Sequence, residues 1–133
     1  PVAMLDKIKQ GDEYVNSDGE MVPNSILTKP ASAPKRFAYC SDTAYTEKII
    51  PLIKNVDCLY HEATFLEEDI VRAKATMHST AGQAAQIALK ADVKQLVIGH
   101  YSARYSNKSQ FLNEAIRIFP NTIAAEDMSV IEF

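Results

Sequence analysis

The sequence predicts an α/β fold, grading into α+β at its ends, and three observations carry that reading. Short apolar runs at residues 37–40, 56–60 and 94–99 have the length and side chains of buried strands. Amphipathic stretches at 66–74, 80–91 and 106–119 follow them in alternation, the pattern of a sheet layered against helices. Polar strings sit at the junctions: Cys40-Ser41-Asp42-Thr43, His61-Glu62-Ala63-Thr64-Phe65 and His100-Tyr101-Ser102-Ala103-Arg104-Tyr105 after strands, and His78-Ser79-Thr80-Ala81 before a helix. In a layered α/β protein such positions converge on the rim where ligands bind. One aspartate and three histidines delivered to that rim point to a metal or phosphate site.

The 133 residues suffice for one core, and 47% hydrophobic with 23% charged residues is ordinary globular composition. A net charge of −3 excludes a protein that coats nucleic acid through a global basic footprint, while leaving room for local grip on one phosphate. No apolar run reaches the roughly 20 residues of a membrane span, and no signal peptide is visible. Cys40 and Cys58 fall on predicted strands and read as small buried hydrophobes of a reducing compartment rather than as a disulfide, so the expected location is cytoplasmic.

Two regions are expected, residues 1–34 with a helix, a hairpin and a connector, and residues 35–133 with the motif-bearing core. Val2, Leu5 and Ile8 mark a short helix that stops at Gly11. Tyr14-Val15 and Met21-Val22 flank Asn16-Ser17-Asp18-Gly19, a hairpin turn because Asp-Gly tolerates positive φ. Residues 24–34, rich in Pro, Ser, Ala and Lys, read as connector. A helix is expected over 46–54 with Ile49, Ile50 and Ile53 inward, although Pro51 opposes a regular one. Over 66–74, acidic residues lead and basic ones follow, which complements the helix dipole. The helix over 80–91 opens on a capping-box pair, Thr80 and Gln83, and its alanines imply close packing on a sheet. Ser106 is expected to cap the last helix and Pro120 to end it, with closing strands at 122–125 and 128–133.

Each polar string taken alone is ambiguous. Asp42 after a strand suits a helix cap as well as a metal. His100 after Gly99 suits a ligand, a catalyst or neither. His78 before a helix suits a proton donor to a phosphate oxygen, or a capping or surface histidine. His61-Glu62 suits orientation of ligands or contact with substrate.

Together, in this order and spacing, the four strings resemble the C-terminal half of the ribonuclease Z family, the tRNA 3′ endonucleases of the metallo-β-lactamase superfamily. The resemblance covers nearly the whole chain. It implies half of an αββα sandwich, with a mixed sheet and helices on one face. By the same resemblance Asp42 bridges two zinc ions, His100 is a terminal ligand of one of them, and His78 donates a proton to the leaving oxygen. His61, Glu62, Thr64, Ser79 and Thr80 line the cleft that receives the tRNA acceptor end, and Ser102 and Arg104 contact phosphate.

Ser41 stands where that family has glycine, and Gly99 where it has threonine; neither is a ligand. The superfamily's His-x-His-x-Asp-His motif does not occur in these residues, so the chain resembles a fragment that lacks the N-terminal half as its partner. The implied function is removal of the 3′ trailer from precursor tRNA, leaving a 3′-hydroxyl. The alternatives are another phosphodiesterase or sulfatase of this fold, or a non-catalytic half-domain. The fragment alone is expected to be inactive, to hold zinc substoichiometrically if at all, and to cover its bare sheet face by forming a homodimer.

Overall fold

The computed structural model describes residues 2–133, which divide into two compact units, one ending at Pro34 and the other spanning Lys35–Phe133.

In the first unit a 3₁₀ turn, Val2–Met4, leads into α1 (Leu5–Lys9), with Asp6 in its first turn and lysines in its last. Gly11, at φ +108°, turns the chain out of the helix. Strands β1 (Tyr14–Val15) and β2 (Met21–Val22) pair antiparallel as the sequence predicts. Asn16 closes their turn: its Oδ1 accepts from the backbone N–H groups of Asp18 and Glu20, both at 2.9 Å, and Gly19 supplies the positive φ. The stretch expected as plain connector contains one helical turn, α2 (Asn24–Leu27). Asn24 explains it, since its side-chain amide donates to the carbonyls of Ile8 (2.6 Å) and Asp12 (2.8 Å) and fixes where the turn begins.

The second unit is built on a four-stranded sheet in the order β3-β4-β5-β6, comprising Phe37–Cys40, Cys58–Glu62, Gln95–Gly99 and Thr122–Ala124. Every neighbouring pair is parallel, so the mixed sheet expected from the sequence is not formed here. Helical connections between successive strands bring each one back in the same direction. The closing strand expected at 128–133 is absent; that segment has no ladder partner.

Helices α5 (Ala81–Lys90) and α6 (Ser109–Ile116) cover one sheet face, where Leu59, Leu96 and Ile98 meet Ala84, Ala85, Ala88 and Phe111 in the core. Alanine at the contact lets the α5 backbone approach the sheet closely. Its capping box is complete, Thr80 Oγ1 accepting from Gln83 N–H and Gln83 Oε1 from Thr80 N–H. Pro51 is accommodated at the first turn of α3 (Ile50–Ile53), where its missing N–H is not needed, after a 3₁₀ turn at Glu47–Ile49. A second 3₁₀ turn, Glu67–Asp69, precedes α4 (Ile70–Ala75). Ser106 does not cap α6: the residue before the helix is Lys108, which makes no side-chain cap, and Asn107 Oδ1 accepts from Ser109 N–H at 3.0 Å in the turn ahead of it.

The other sheet face is only partly covered. Phe37 and Tyr39 are 54% and 64% exposed, and Tyr39 stacks on Tyr60 at 4.7 Å. Residues of the C-terminal segment lie over the rest: Phe133 stacks on Phe37 at 5.7 Å, and Ile131 and Phe133 border a cavity of about 250 Å³ with Cys58 and Val97. Cys40 pairs in register with His61 and Cys58 with Phe37, so the two thiols are offset along the sheet and both are free. No helix of the described residues is long and apolar enough to cross a membrane.

Candidate metal centre

The strand tips assemble the site. Strand β3 ends at Cys40, and two residues later Asp42 takes a left-handed conformation, φ +48°, that turns its carboxylate over the sheet rim. Strand β5 ends at Gly99, and His100 follows with φ +65°. Left-handed backbone is costly for residues with a Cβ and concentrates at functional sites. His78 precedes the capped start of α5. Ligand atoms of Asp42, His78 and His100 all lie within 4.8 Å of one another, and His100 Nε2 is 3.2 Å from Asp42 Oδ1.

Glu62 and Thr64 stand beneath these three. Strand β4 runs two residues beyond the apolar stretch read as its extent, so His61 and Glu62 are buried strand residues rather than loop. Glu62 Oε1 accepts from Thr43 N–H at 2.9 Å and contacts His78 Nδ1 at 2.8 Å; Oε2 accepts from Thr64 Oγ1 at 2.6 Å and Thr64 N–H at 3.1 Å. Burial pushes its carboxyl upward, but the donors on Thr64, His78 and the backbone outweigh it and hold the group below the usual glutamate range. Thr64 Oγ1 also reaches His100 Nδ1 at 2.8 Å and His78 Nδ1 at 3.2 Å. His61 has its Nδ1 2.7 Å from the Glu62 carbonyl; burial lowers its pKa, only partly offset by that carbonyl and the Glu62 charge.

The remaining candidates divide. Ser79 and Thr80 are fully buried: Ser79 Oγ donates to the Thr43 carbonyl at 2.7 Å, and Thr80 Oγ1 donates to Glu67 at 2.7 Å besides capping α5. Together with buried His61, Glu62 and Thr64, they bond to groups of the rim itself. Ser102 is half-buried, its N–H donating to the Thr64 carbonyl at 3.1 Å. Arg104 is exposed enough to meet a phosphate, but here it lies 3.7 Å from Asp69 and over the Phe65 ring at 5.7 Å. Phe65 in turn is 6.2 Å from the His78 ring. Thr43 and Asp69 were not predicted; Thr43 acts through backbone groups, which side-chain chemistry does not advertise.

One carboxylate oxygen facing imidazole nitrogens is the donor chemistry of a borderline divalent cation, so the residues present fit part of a metal site. Two or three donors fall short of a closed tetrahedral set.

A family model described as the beta-lactamase superfamily domain matches residues 26–101, more than half of the chain. The chain belongs to the beta-lactamase superfamily. Within it, the chain is 60% identical over 127 residues to a protein named ribonuclease Z from Parabacteroides distasonis, covering 96% of this chain and 42% of that protein. It is 54% identical to one of the same name from Bacteroides thetaiotaomicron, covering 96% and 40%. It thus spans about two fifths of the length of these relatives. Among solved structures, human tRNase Z, short form, aligns with TM-score 0.52 and 30% identity over 70% of this chain and 30% of that one. A metallo-beta-lactamase fold protein from Bacillus subtilis aligns with TM-score 0.61 over 66% of this chain and 35% of its own, at 23% identity, a likeness of fold alone.

Proposed function

We propose that this chain forms part of a metal-dependent endoribonuclease that removes the 3′ trailer from tRNA precursors by phosphodiester hydrolysis. The observation that carries the proposal is the convergence of Asp42, His78 and His100 at one rim, on a buried Glu62–Thr64 support.

Asp42 and His100 would hold zinc, with further ligands supplied from outside these residues in a longer polypeptide. Bound zinc would supply a nucleophilic hydroxide and neutralise charge on the scissile phosphate. Glu62 accepts from His78 Nδ1–H and orients the ring, so that in the doubly protonated imidazolium the Nε2–H can pass its proton to the leaving 3′ oxygen of the tRNA and leave the neutral Nδ1–H ring. Arg104, presented on Phe65, would exchange Asp69 for a phosphate of the incoming strand, with Ser102 beside it. Two buried or half-buried free thiols support a reducing, cytoplasmic location, and the open aromatic face supports self-association as a homodimer when the rest of the polypeptide is missing.

The test is made on a polypeptide of the relatives' full length. It should cleave precursor tRNA to a 3′-hydroxyl product, and His78→Gln should lower kcat by roughly 10²–10⁴-fold while leaving the melting temperature in place. Hydrolysis of a small phosphodiester or sulfate ester without cleavage of precursor tRNA would overturn the substrate. An unchanged kcat in His78→Gln would overturn the role of the histidine.

A further inference from the structure

Hydrogen positions around Thr64 follow from counting donors. Glu62 Oε2 has only lone pairs to offer, so the 2.6 Å contact must use the single proton of the Thr64 hydroxyl. Thr64 Oγ1 then has no proton left for His100, and the 2.8 Å contact to His100 Nδ1 exists only if Nδ1 carries the hydrogen. In the neutral ring the other nitrogen, Nε2, keeps its lone pair, and it is this nitrogen that lies 3.2 Å from Asp42 Oδ1. A doubly protonated ring would donate Nε2–H to Asp42 instead; in the neutral ring two lone pairs face each other, as two ligands to one cation do. The same count at His78 gives Nδ1–H donating directly to Glu62 Oε1, with Thr64 the more distant contact. His78 therefore depends on Glu62, and His100 depends on Thr64.

We infer that Thr64 is a positioning residue that selects the Nδ1–H tautomer of His100, so that Nε2 is the atom presented to metal. The inference rests on the reading of Asp42 and His100 as ligands for its purpose, but not for its geometry. Free histidine has no such selector. The hydroxyl works here because Thr64 is buried, at 7% exposed, and because Glu62 fixes the direction of its proton. The backbone of Thr64 is held separately, its N–H by Glu62 and its carbonyl by Ser102 N–H, so the side chain can change without releasing the loop.

The experiment is long-range proton–nitrogen correlation of the histidine rings in the full 133-residue chain, at about pH 8, above the ordinary histidine range. Wild type and Thr64→Ser, which keeps the hydroxyl, should show His100 as Nδ1–H. Thr64→Val should move His100 toward the Nε2–H form while His78 stays Nδ1–H, held by Glu62. Zinc added to the wild type should shift His100 Nε2, and Thr64→Val should raise the zinc concentration needed by roughly 10–100-fold. A wild-type His100 protonated at Nε2, or a His100 tautomer unmoved by Thr64→Val, would overturn the assignment to Thr64. The two arms fail separately: correct tautomers with no zinc response at either histidine in a polypeptide of the relatives' full length would overturn the metal reading and leave the selection by Thr64 standing.

Discussion

At the scale of single residues, Gly99 shows how the rim tolerates no spare atom. A Cβ added there would lie 2.5 Å from the Tyr60 hydroxyl and 3.0 Å from its ring carbons, so glycine is required by a neighbouring side chain rather than by its own φ. Gly99→Ala should cost about 1–3 kcal/mol, the usual range for overpacking. Tyr60→Phe removes the nearest atom and should recover part of that loss when the two substitutions are combined. Urea unfolding of the two single variants and the double variant checks this, and strictly additive losses would show that the two positions do not share the strain.

At the scale of elements, the strand entrances are fastened by one charge. Asp57, just before β4, accepts from Arg36 N–H at 2.7 Å and from Lys94 Nζ at 2.7 Å, so one carboxylate ties together the starts of β3, β4 and β5. Lys94 is the first cause, and the Arg36 N–H the second, of a pKa lowered to about 2. A carboxyl depressed on folding stabilises the native state above its unfolded pKa of roughly 4, and that contribution is lost as pH falls toward 2. Asp57→Asn should therefore melt below wild type at neutral pH, and the gap should close on acid titration. A gap constant from pH 7 to pH 2 would count against the pairing. This fastening was not legible in the sequence, because the partners lie far apart along the chain. What was legible were the apolar stretches: β3, β5 and α5 stand close to where periodicity puts them. Strand β4 extends past its apolar run because His61 and Glu62 are buried polar residues, satisfied by partners that the sequence cannot pair. The apolar stretch at 128–133 reads as a strand, yet it covers the sheet through Ile131 and Phe133 without joining a ladder. Asp42, His78 and His100 were found as residues, while the layer beneath them, Thr43 and the inward turn of Thr64, came only with coordinates.

At the scale of the molecule, the uncovered aromatic face sets behaviour in solution. Phe37 and Tyr39 expose apolar surface next to a segment held by packing rather than by a ladder, and contiguous patches of this kind seek a partner. The 133-residue chain should sediment and scatter as a dimer, Tyr39→Lys should shift it toward monomer, and elemental analysis should find less than one zinc per chain. A wild-type monomer carrying two tightly bound zinc ions would contradict both statements.

The strand order carries a consequence in time. Because the sheet reads β3-β4-β5-β6 along the chain, a ribosome releases each strand next to the one it will pair with. Asp42 emerges with the first edge, the Glu62–Thr64 support with the second, His78 with the crossover that follows, and His100 only after the third strand has left the exit tunnel. During synthesis, then, the carboxylate of Asp42 waits longest for the imidazole of His100 that it faces in the finished rim. A nascent chain short of His100 can display Asp42 and His78, yet it lacks the facing pair proposed to hold a cation.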